Sequence, residues 1–250
     1  MNNMSTSFFI EPNWPAPQHI KALTTTRTGG YSKDTYASFN LADHVGDDPI
    51  HVQKNRALLK SALALPHEPR WLMQTHSALV VAADAVTTPI EADASYTSKP
   101  NSICCVLSAD CLPLLLCHKN GDCVAAIHAG WRGLLSGIIE NTVHAMPTPP
   151  TTLLAWLGPA IGPSRFEVGQ EVFEKYITQH SENSNAFTPT TTGKWLADIY
   201  ALATIRLLNL GVTEIYGGQF CTINDKQFYS RRRDGKQSGR MASLIYIQEQ

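Results

Sequence analysis

The stretch from Ile103 to Gly133, ICCVLSADCLPLLLCHKNGDCVAAIHAGWRG, decides how the chain is read. Two apolar runs each deliver a potential metal ligand at a polar break. Ile103 to Leu107 ends in Ser108-Ala109-Asp110-Cys111, and Cys123 to Ile127 ends at His128. Both runs are short and rich in β-branched residues or cysteine, and Asn120-Gly121 lies between them, so buried strands joined by a hairpin-like turn are expected. Cys111 and His128 would then sit where strands meet loops. After Ala129-Gly130-Trp131-Arg132-Gly133, the residues Leu134, Leu135, Ile138, Ile139, Thr142, Val143 and Met146 recur at helical spacing. A strand, a glycine turn and a helix start, with Arg132 in its first turn, make a natural place for an anion.

Upstream, Ala22 to Thr26 is β-prone and runs into Arg27-Thr28-Gly29-Gly30, a turn that would place Arg27 at a strand end facing a pocket. The polar stretch Ser38 to Pro49 contains Asn40 and His44. Asp48-Pro49 supplies an N-cap and a proline at N1 for a helix carrying Val52, Leu58, Leu59, Ala62 and Leu63, which stops before Pro66. Arg70 to Ala83 reads as a strand pair or one long strand interrupted at Gln74-Thr75-His76-Ser77. Downstream, Leu153 to Leu157 reads as a strand, and Gly158-Pro159-Ala160-Ile161-Gly162-Pro163 as a stiff irregular loop. Val168 to Ile177 and Leu196 to Leu210 are amphipathic helices, the second closed by Gly211. His180 to Lys194 reads as a polar loop. Val212 to Tyr216, Gln227 to Ser230 and Met241 to Ile247 are the final strands, the last two flanking the basic loop Arg231 to Arg240. Helices alternating loosely with strands give a mixed α/β (α+β) domain.

Length and composition bound the function. The chain has 250 residues, 43% hydrophobic and 16% charged, with a formal net charge of −1. That is enough length for a full core, and neither linker nor repeat divides it, so one domain over 1-250 is expected. Near-neutral charge gives no reason to propose nucleic acid or an anionic membrane as partner. The N-terminus has no basic segment and no apolar run of signal-peptide length, and no segment approaches the ~20 apolar residues of a bilayer span, so a cytoplasmic protein is expected. All six cysteines fall between Cys104 and Cys221 without a CxxC pair, which suits buried thiols better than a disulfide framework.

His76, Cys111 and His128 are too far apart in sequence for a local zinc-finger spacing. Two imidazoles and a thiolate would leave a tetrahedral Zn²⁺ one open position, as in catalytic sites, with a bound water whose pKa falls toward ~7. Asp110, beside Cys111, is a candidate to orient a ligand or move a proton. A different chemistry makes Cys111 a nucleophile and His128 its base, with Asp110 or Asn40 orienting the imidazole. Metal and free nucleophile compete for one sulfur. The basic loop reads either as a solvated surface turn with salt bridges or as part of a site. No dinucleotide fingerprint, P-loop or zinc deaminase signature is present.

Thr26 to Ser32, Phe39-Asn40-Leu41, Gln74-Thr75-His76, Ser108-Ala109-Asp110-Cys111-Leu112-Pro113, His128 to Gly133, Leu157 to Pro163, Cys221-Thr222 and the Ser230 to Arg240 loop together resemble the YfiH family, also called laccase-domain or polyphenol oxidase proteins. The resemblance implies layered mixed sheets flanked by helices and a single metal, zinc or copper, held by His76, Cys111 and His128. It also implies phosphorolysis of adenosine, inosine or methylthioadenosine to base and ribose 1-phosphate, with adenosine deamination and copper-dependent phenol oxidation ascribed to the same family. Purine nucleosides and phosphate are the expected partners. Arg27 and Arg132 are candidates for phosphate, Asn40 and His44 for sugar or base, and Cys111 and Asp110 for the chemistry. A Cys-His hydrolase acting on a cell-wall precursor is the alternative from another class. True laccase chemistry lacks the repeated His-x-His pairs of multicopper clusters. The chain departs from the family pattern at Ser77, where glycine is common, at Arg231, where an aromatic or His precedes the arginine pair, and at Ser238, where Thr precedes Gly-Arg.

Overall fold

A computed structural model of the chain describes residues 8–86 and 90–249. The first seven residues of the N-terminal stretch read for a leader lie outside that range. The strands are β1 (Phe9–Ile10), β2 (Ile20–Thr25), β3 (Val80–Ala82), β4 (Ala94–Thr97), β5 (Cys104–Ser108), β6 (Leu112–His118), β7 (Val124–Ala129), β8 (Leu153–Leu157), β9 (Glu167–Val168), β10 (Phe187–Pro189), β11 (Trp195–Ala197), β12 (Glu214–Gly217) and β13 (Met241–Ile247). The helices are α1 (Pro49–Ala62), α2 (Trp131–Leu135), α3 (Ile138–Ala145), α4 (Gln170–Gln179), α5 (Ile199–Asn209) and α6 (Arg231–Asp234). Among the described residues no helix is long and apolar enough to cross a membrane.

Two sheets carry the architecture. One has the order β1-β2-β13-β5, the other β12-β8-β6-β7-β4-β3, and a small third sheet is β10-β11-β9. Period-two alternation assigns the faces. On β5, Cys104 and Val106 pack between the two large sheets with Leu115, Cys117, Val124, Ala126 and Trp156. Cys105 and Leu107 face the other way, onto Leu59 of α1 and the Phe39–Leu41 segment. On β6 and β7, Leu114, Leu116, Ala125 and Ile127 face Leu134, Ile138, Ile139, Tyr176 and Leu207 of α2 to α5. The result is helix, sheet, sheet, helix. Strands buried on both faces read as continuous apolar runs, which is why this region lacks alternation in sequence.

Several sequence expectations hold. α1 starts at Asp48, whose carboxylate accepts from the Ile50 N–H, and β8 and β13 have the expected bounds. Gly211 sits just past the end of α5 with φ 88°. Others change. The hairpin joins β6 to β7, not the Ile103 and Cys123 runs, because Leu112 to His118 is itself a strand and β5 belongs to the other sheet. The helix after His128 breaks at Gly137, with φ 88°, into α2 and α3. Of Arg70 to Ala83 only Val80–Ala82 is a strand, the rest making isolated bridges at Arg70 and Met73. Leu196 lies in β11 rather than in a helix, the polar loop from His180 holds β10, and Gln227 to Ser230 forms no strand.

One detail positions everything that follows. Between Ser108 and Leu112 the chain leaves one sheet and enters the other, turning through Asp110 at φ 86°. Cys111 stands at that corner.

Candidate metal centre and its cavity

The ligand atoms of His76, Cys111 and His128 all lie within 4.8 Å of one another. Cys111 Sγ is 3.8 Å from His76 Nε2, and the two imidazole rings meet edge to face with centroids 4.9 Å apart. Each ligand comes from a different device. His128 is the penultimate residue of β7, Cys111 stands at the corner between sheets, and His76 lies in the turn before β3 with φ 62°, an uncommon conformation for a side-chain-bearing residue.

Asp93 assembles the centre. β4 pairs antiparallel with β7, which sets Asp93, just before β4, beside His128. Its carboxylate is fully buried and accepts from His128 Nδ1 at 2.8 Å, from the backbone N–H of Thr75, His76 and Ser77, and from the Ser77 hydroxyl at 2.7 Å. Burial alone would raise its pKa, but His128 and Ser77 outweigh burial and pull it down to about 2. Nδ1 of His128 is thus taken, leaving Nε2 for the centre. Burial likewise pushes the Cys111 thiol up, yet the adjoining His128 and His76 bring it down to about 6. Burial lowers His128, and Asp93 with Cys111 overrides that to about 9. A soft thiolate and two imidazoles, one oriented by a carboxylate, form a donor set able to hold a metal ion with one coordination position left open. At Gly130 a Cβ would stand 3.0 Å from Cys111 Sγ and 3.2 Å from His76 Cδ2, so the glycine keeps the cluster open.

The cluster opens into a cavity of about 390 Å³. Arg132, Arg231, Arg232 and Arg240 stand in its wall, with Trp131 and Phe166. Arg132 stacks on Trp131 at 4.2 Å, and Arg240 donates to Ser238 and Gly239 oxygens; among the described residues neither of these, nor Arg231, has a carboxylate partner. Burial, together with the charge of Arg231, holds the Arg240 guanidinium below its ordinary value. The loop read as a solvated turn or a site element therefore faces the centre.

The chain from residue 21 to 248 matches the family model described as Multi-copper polyphenol oxidoreductase laccase. The chain belongs to this laccase-domain, or YfiH, family. Among its relatives, the purine nucleoside phosphorylase of Haemophilus influenzae is 49% identical over 96% of this chain and 99% of its own. The purine nucleoside phosphorylase YfiH of Escherichia coli is 47% identical over 96% and 99%. A crystal structure of a Neisseria meningitidis protein superposes with a TM-score of 0.94 at 46% identity, covering 97% of this chain and all of the other. Despite the family's description, the described residues bring together one group of three or more His, Cys, Asp or Glu donors.

The other residues expected in this family member's site separate into two groups. Arg132 and His44 line the cavity. Arg27 does not: its Nε donates to the Ala37 carbonyl, Nη1 pairs with Asp234 at 3.3 Å, and the guanidinium covers Tyr229. Asn40 is fully buried, its amide bonded to Ala42 and Asp47 and its oxygen accepting from the Ala42 and Arg240 N–H groups, so no polar atom remains for a ligand. Asp110 lines the cavity, but both carboxylate oxygens are engaged, by the Thr222 hydroxyl at 2.6 Å and the Arg232 N–H at 2.7 Å. Neither Asp110 nor Asn40 orients an imidazole; Asp93 does. Sequence reasoning passed over Asp93 because a carboxylate before a strand carries no signal until β4 and β7 pair. The unpaired loop arginines carried one, a run of cations with a single acid.

Proposed function

We propose that the protein is a metal-dependent purine nucleoside phosphorylase, cleaving adenosine, inosine or methylthioadenosine with phosphate, with adenosine deamination as a side activity. The observation that carries this reading is one cavity holding both the His₂Cys cluster and four arginines, Arg132, Arg231, Arg232 and Arg240, none with a carboxylate ion pair among the described residues. The names of the relatives support it. Phosphorolysis needs a bound dianion, a stabilised oxocarbenium-like sugar and a proton for the departing base. Arg132, Arg231 and Arg240 bind phosphate; cations crowded into one wall without an ion pair of their own gain from an anion. Asp110, accepting from the Thr222 hydroxyl and the Arg232 N–H, holds the arginine loop in place rather than moving a proton. His44, whose side chain is half exposed in the cavity wall, delivers the proton to the base. A Zn²⁺ bound by His76, Cys111 and His128 would supply Lewis acidity and a water of lowered pKa, with Cu²⁺ competing for the same donors.

Phosphate-dependent adenine from adenosine, measured by chromatography on metal-analysed protein and abolished in His76→Ala and His128→Ala, is the expected result. Inosine as the sole product would make the protein a deaminase, and no product would sink the nucleoside reading.

A Cys-His hydrolase has one observation in its favour, the chain Cys111, His128 and Asp93, which has the nucleophile, base and orienting acid of a triad. Metal analysis separates the readings. Stoichiometric zinc that protects Cys111 from alkylation supports the phosphorylase; a metal-free protein alkylated rapidly at Cys111 supports the hydrolase.

A further inference from the structure

β8 runs antiparallel to β6 with Leu157 opposite Leu114, and β12 runs parallel to β8 with Gly217 opposite Leu157. That register brings three irregular segments to one end of the sheet: the corner Ala109 to Pro113, the loop Gly158 to Gly162 that follows β8, and Phe220 to Thr222 beyond β12. The loop grips the corner on both sides of Cys111. Ile161 N–H donates to the Asp110 carbonyl and Gly158 N–H to the Pro113 carbonyl, each at 2.9 Å. The second contact needs a glycine, because a Cβ on residue 158 would stand 2.9 Å from Pro113 Cγ and 3.0 Å from the Pro113 oxygen. On its other flank the loop meets the third segment, where Thr222 N–H donates to the Ala160 carbonyl at 2.9 Å and Gly162 N–H to Cys221 Sγ at 3.4 Å. One side chain pins these strands of contact together. Tyr200, buried in the first turn of α5, accepts from the Ala160 N–H at 2.9 Å, and its own proton faces the carbonyls of Gly158 at 3.1 Å and Phe220 at 3.2 Å. Asp198 fixes that helix start, its carboxylate accepting from the Tyr200 and Ala201 N–H groups.

We propose that Tyr200 is a positioning residue for the metal centre: its hydroxyl holds the Gly158 to Gly162 loop, and the loop amides that grip the chain on either side of Cys111 set where Sγ stands. The inference rests on the metal reading of the His₂Cys cluster and is independent of which nucleoside reacts. Its physical ground is the conformation of the corner. Asp110 turns through φ 86°, which a side-chain-bearing residue keeps only where surrounding contacts over-determine it. Thr222 and Arg232 hold the Asp110 carboxylate, and the loop takes the Asp110 carbonyl. A phenol suits the junction behind that loop because it offers one acceptor and one donor to backbone groups buried with it. Without the hydroxyl, the Ala160 N–H has lost its acceptor, and relaxation of that amide carries its neighbours Ile161 and Gly158 with it. A ligand already standing in place spares the ion the cost of ordering it, so loosening the corner weakens binding.

Zinc and cobalt titrations separate placement of the thiolate from simple stability. Tyr200→Phe should bind Zn²⁺ about tenfold more weakly than the native protein in competition with a chromophoric chelator, and the thiolate-to-metal charge-transfer band of its Co²⁺ form should move from the native position. Leu207 lies two turns further along α5, buried in the same core, and its side chain offers no hydrogen bond to the loop. Leu207→Ala therefore removes packing alone and should lower Tm while zinc affinity and the cobalt band keep their native values. An equal loss of affinity in Leu207→Ala overturns the assignment. So does a weakened affinity in Tyr200→Phe with an unmoved cobalt band, because Sγ then stands where it did. Native protein that takes up neither ion removes the metal centre and this inference with it; native uptake matched by Tyr200→Phe removes the inference alone.

Discussion

Asp93 receives three backbone N–H groups, one hydroxyl and one imidazole on a single buried carboxylate. Those contacts hold His76 in its left-handed conformation and fix which nitrogen His128 offers. Asp93→Asn would turn an amide NH₂ toward donors that need an acceptor. We expect the fold to lose about 1–3 kcal/mol and the metal affinity to drop about 10–100-fold, read by denaturant unfolding and by competition with a chromophoric chelator. Unchanged affinity would show that His128 orients itself. Ser77 adds its hydroxyl to the same carboxylate, so the acid is held more firmly than by backbone alone. A steric test sits across the cluster. Gly130→Ala places a methyl 3.0 Å from Cys111 Sγ and 3.2 Å from His76 Cδ2, which obliges both side chains to shift, and should weaken metal binding with global stability nearly unchanged.

At the scale of elements, the segment from Thr222 to Arg240 is a loop built like a scaffold. Arg233 donates to the carbonyls of Thr222, Ile223, Asp225 and Phe228 and grips Asp234 with two nitrogens. Asp234 also takes Arg27, and Ser230 caps α6 through the Arg233 N–H. Arg27, expected at a phosphate, is thus one of the struts that aim the other arginines. A lysine cannot reproduce a planar fork that reaches four carbonyls and a carboxylate. Arg233→Lys should cost about 2 kcal/mol of stability and raise KM for phosphate about tenfold while zinc stoichiometry stays at the native value. A rise in nucleoside KM alone would place the loop at the wrong end of the substrate.

At the scale of the molecule, the legible parts were those with local signals. Asp48-Pro49 marked a helix start, Leu153 to Leu157 and Met241 to Ile247 marked strands, and motif order marked His76, Cys111 and His128, distant in sequence, whose donor atoms converge. What escaped depends on which strands pair. The run Leu112 to His118 carries Pro113 near its start, which weakens its strand signal, and the assignment of β5 to a separate sheet has no local signature. That separation gives the metal a structural consequence. The loop of His76, the corner of Cys111 and the end of β7 approach from three directions at the junction of the two large sheets, so an ion bound there adds a cross-link to segments already joined by the Asp93 hydrogen bonds and the β6–β7 ladder. An ion that binds the folded state at a hundredfold excess over its Kd adds about 2.7 kcal/mol, which in a chain of this length corresponds to roughly 5–10 °C in Tm. Chelation should therefore lower Tm by that amount and equimolar zinc should restore it. Cys111→Ser, which replaces the soft donor, should start at the lower Tm and respond to neither addition. An equal chelator shift in Cys111→Ser and the native protein would place the stabilising ion elsewhere and free Cys111 for the nucleophile's role.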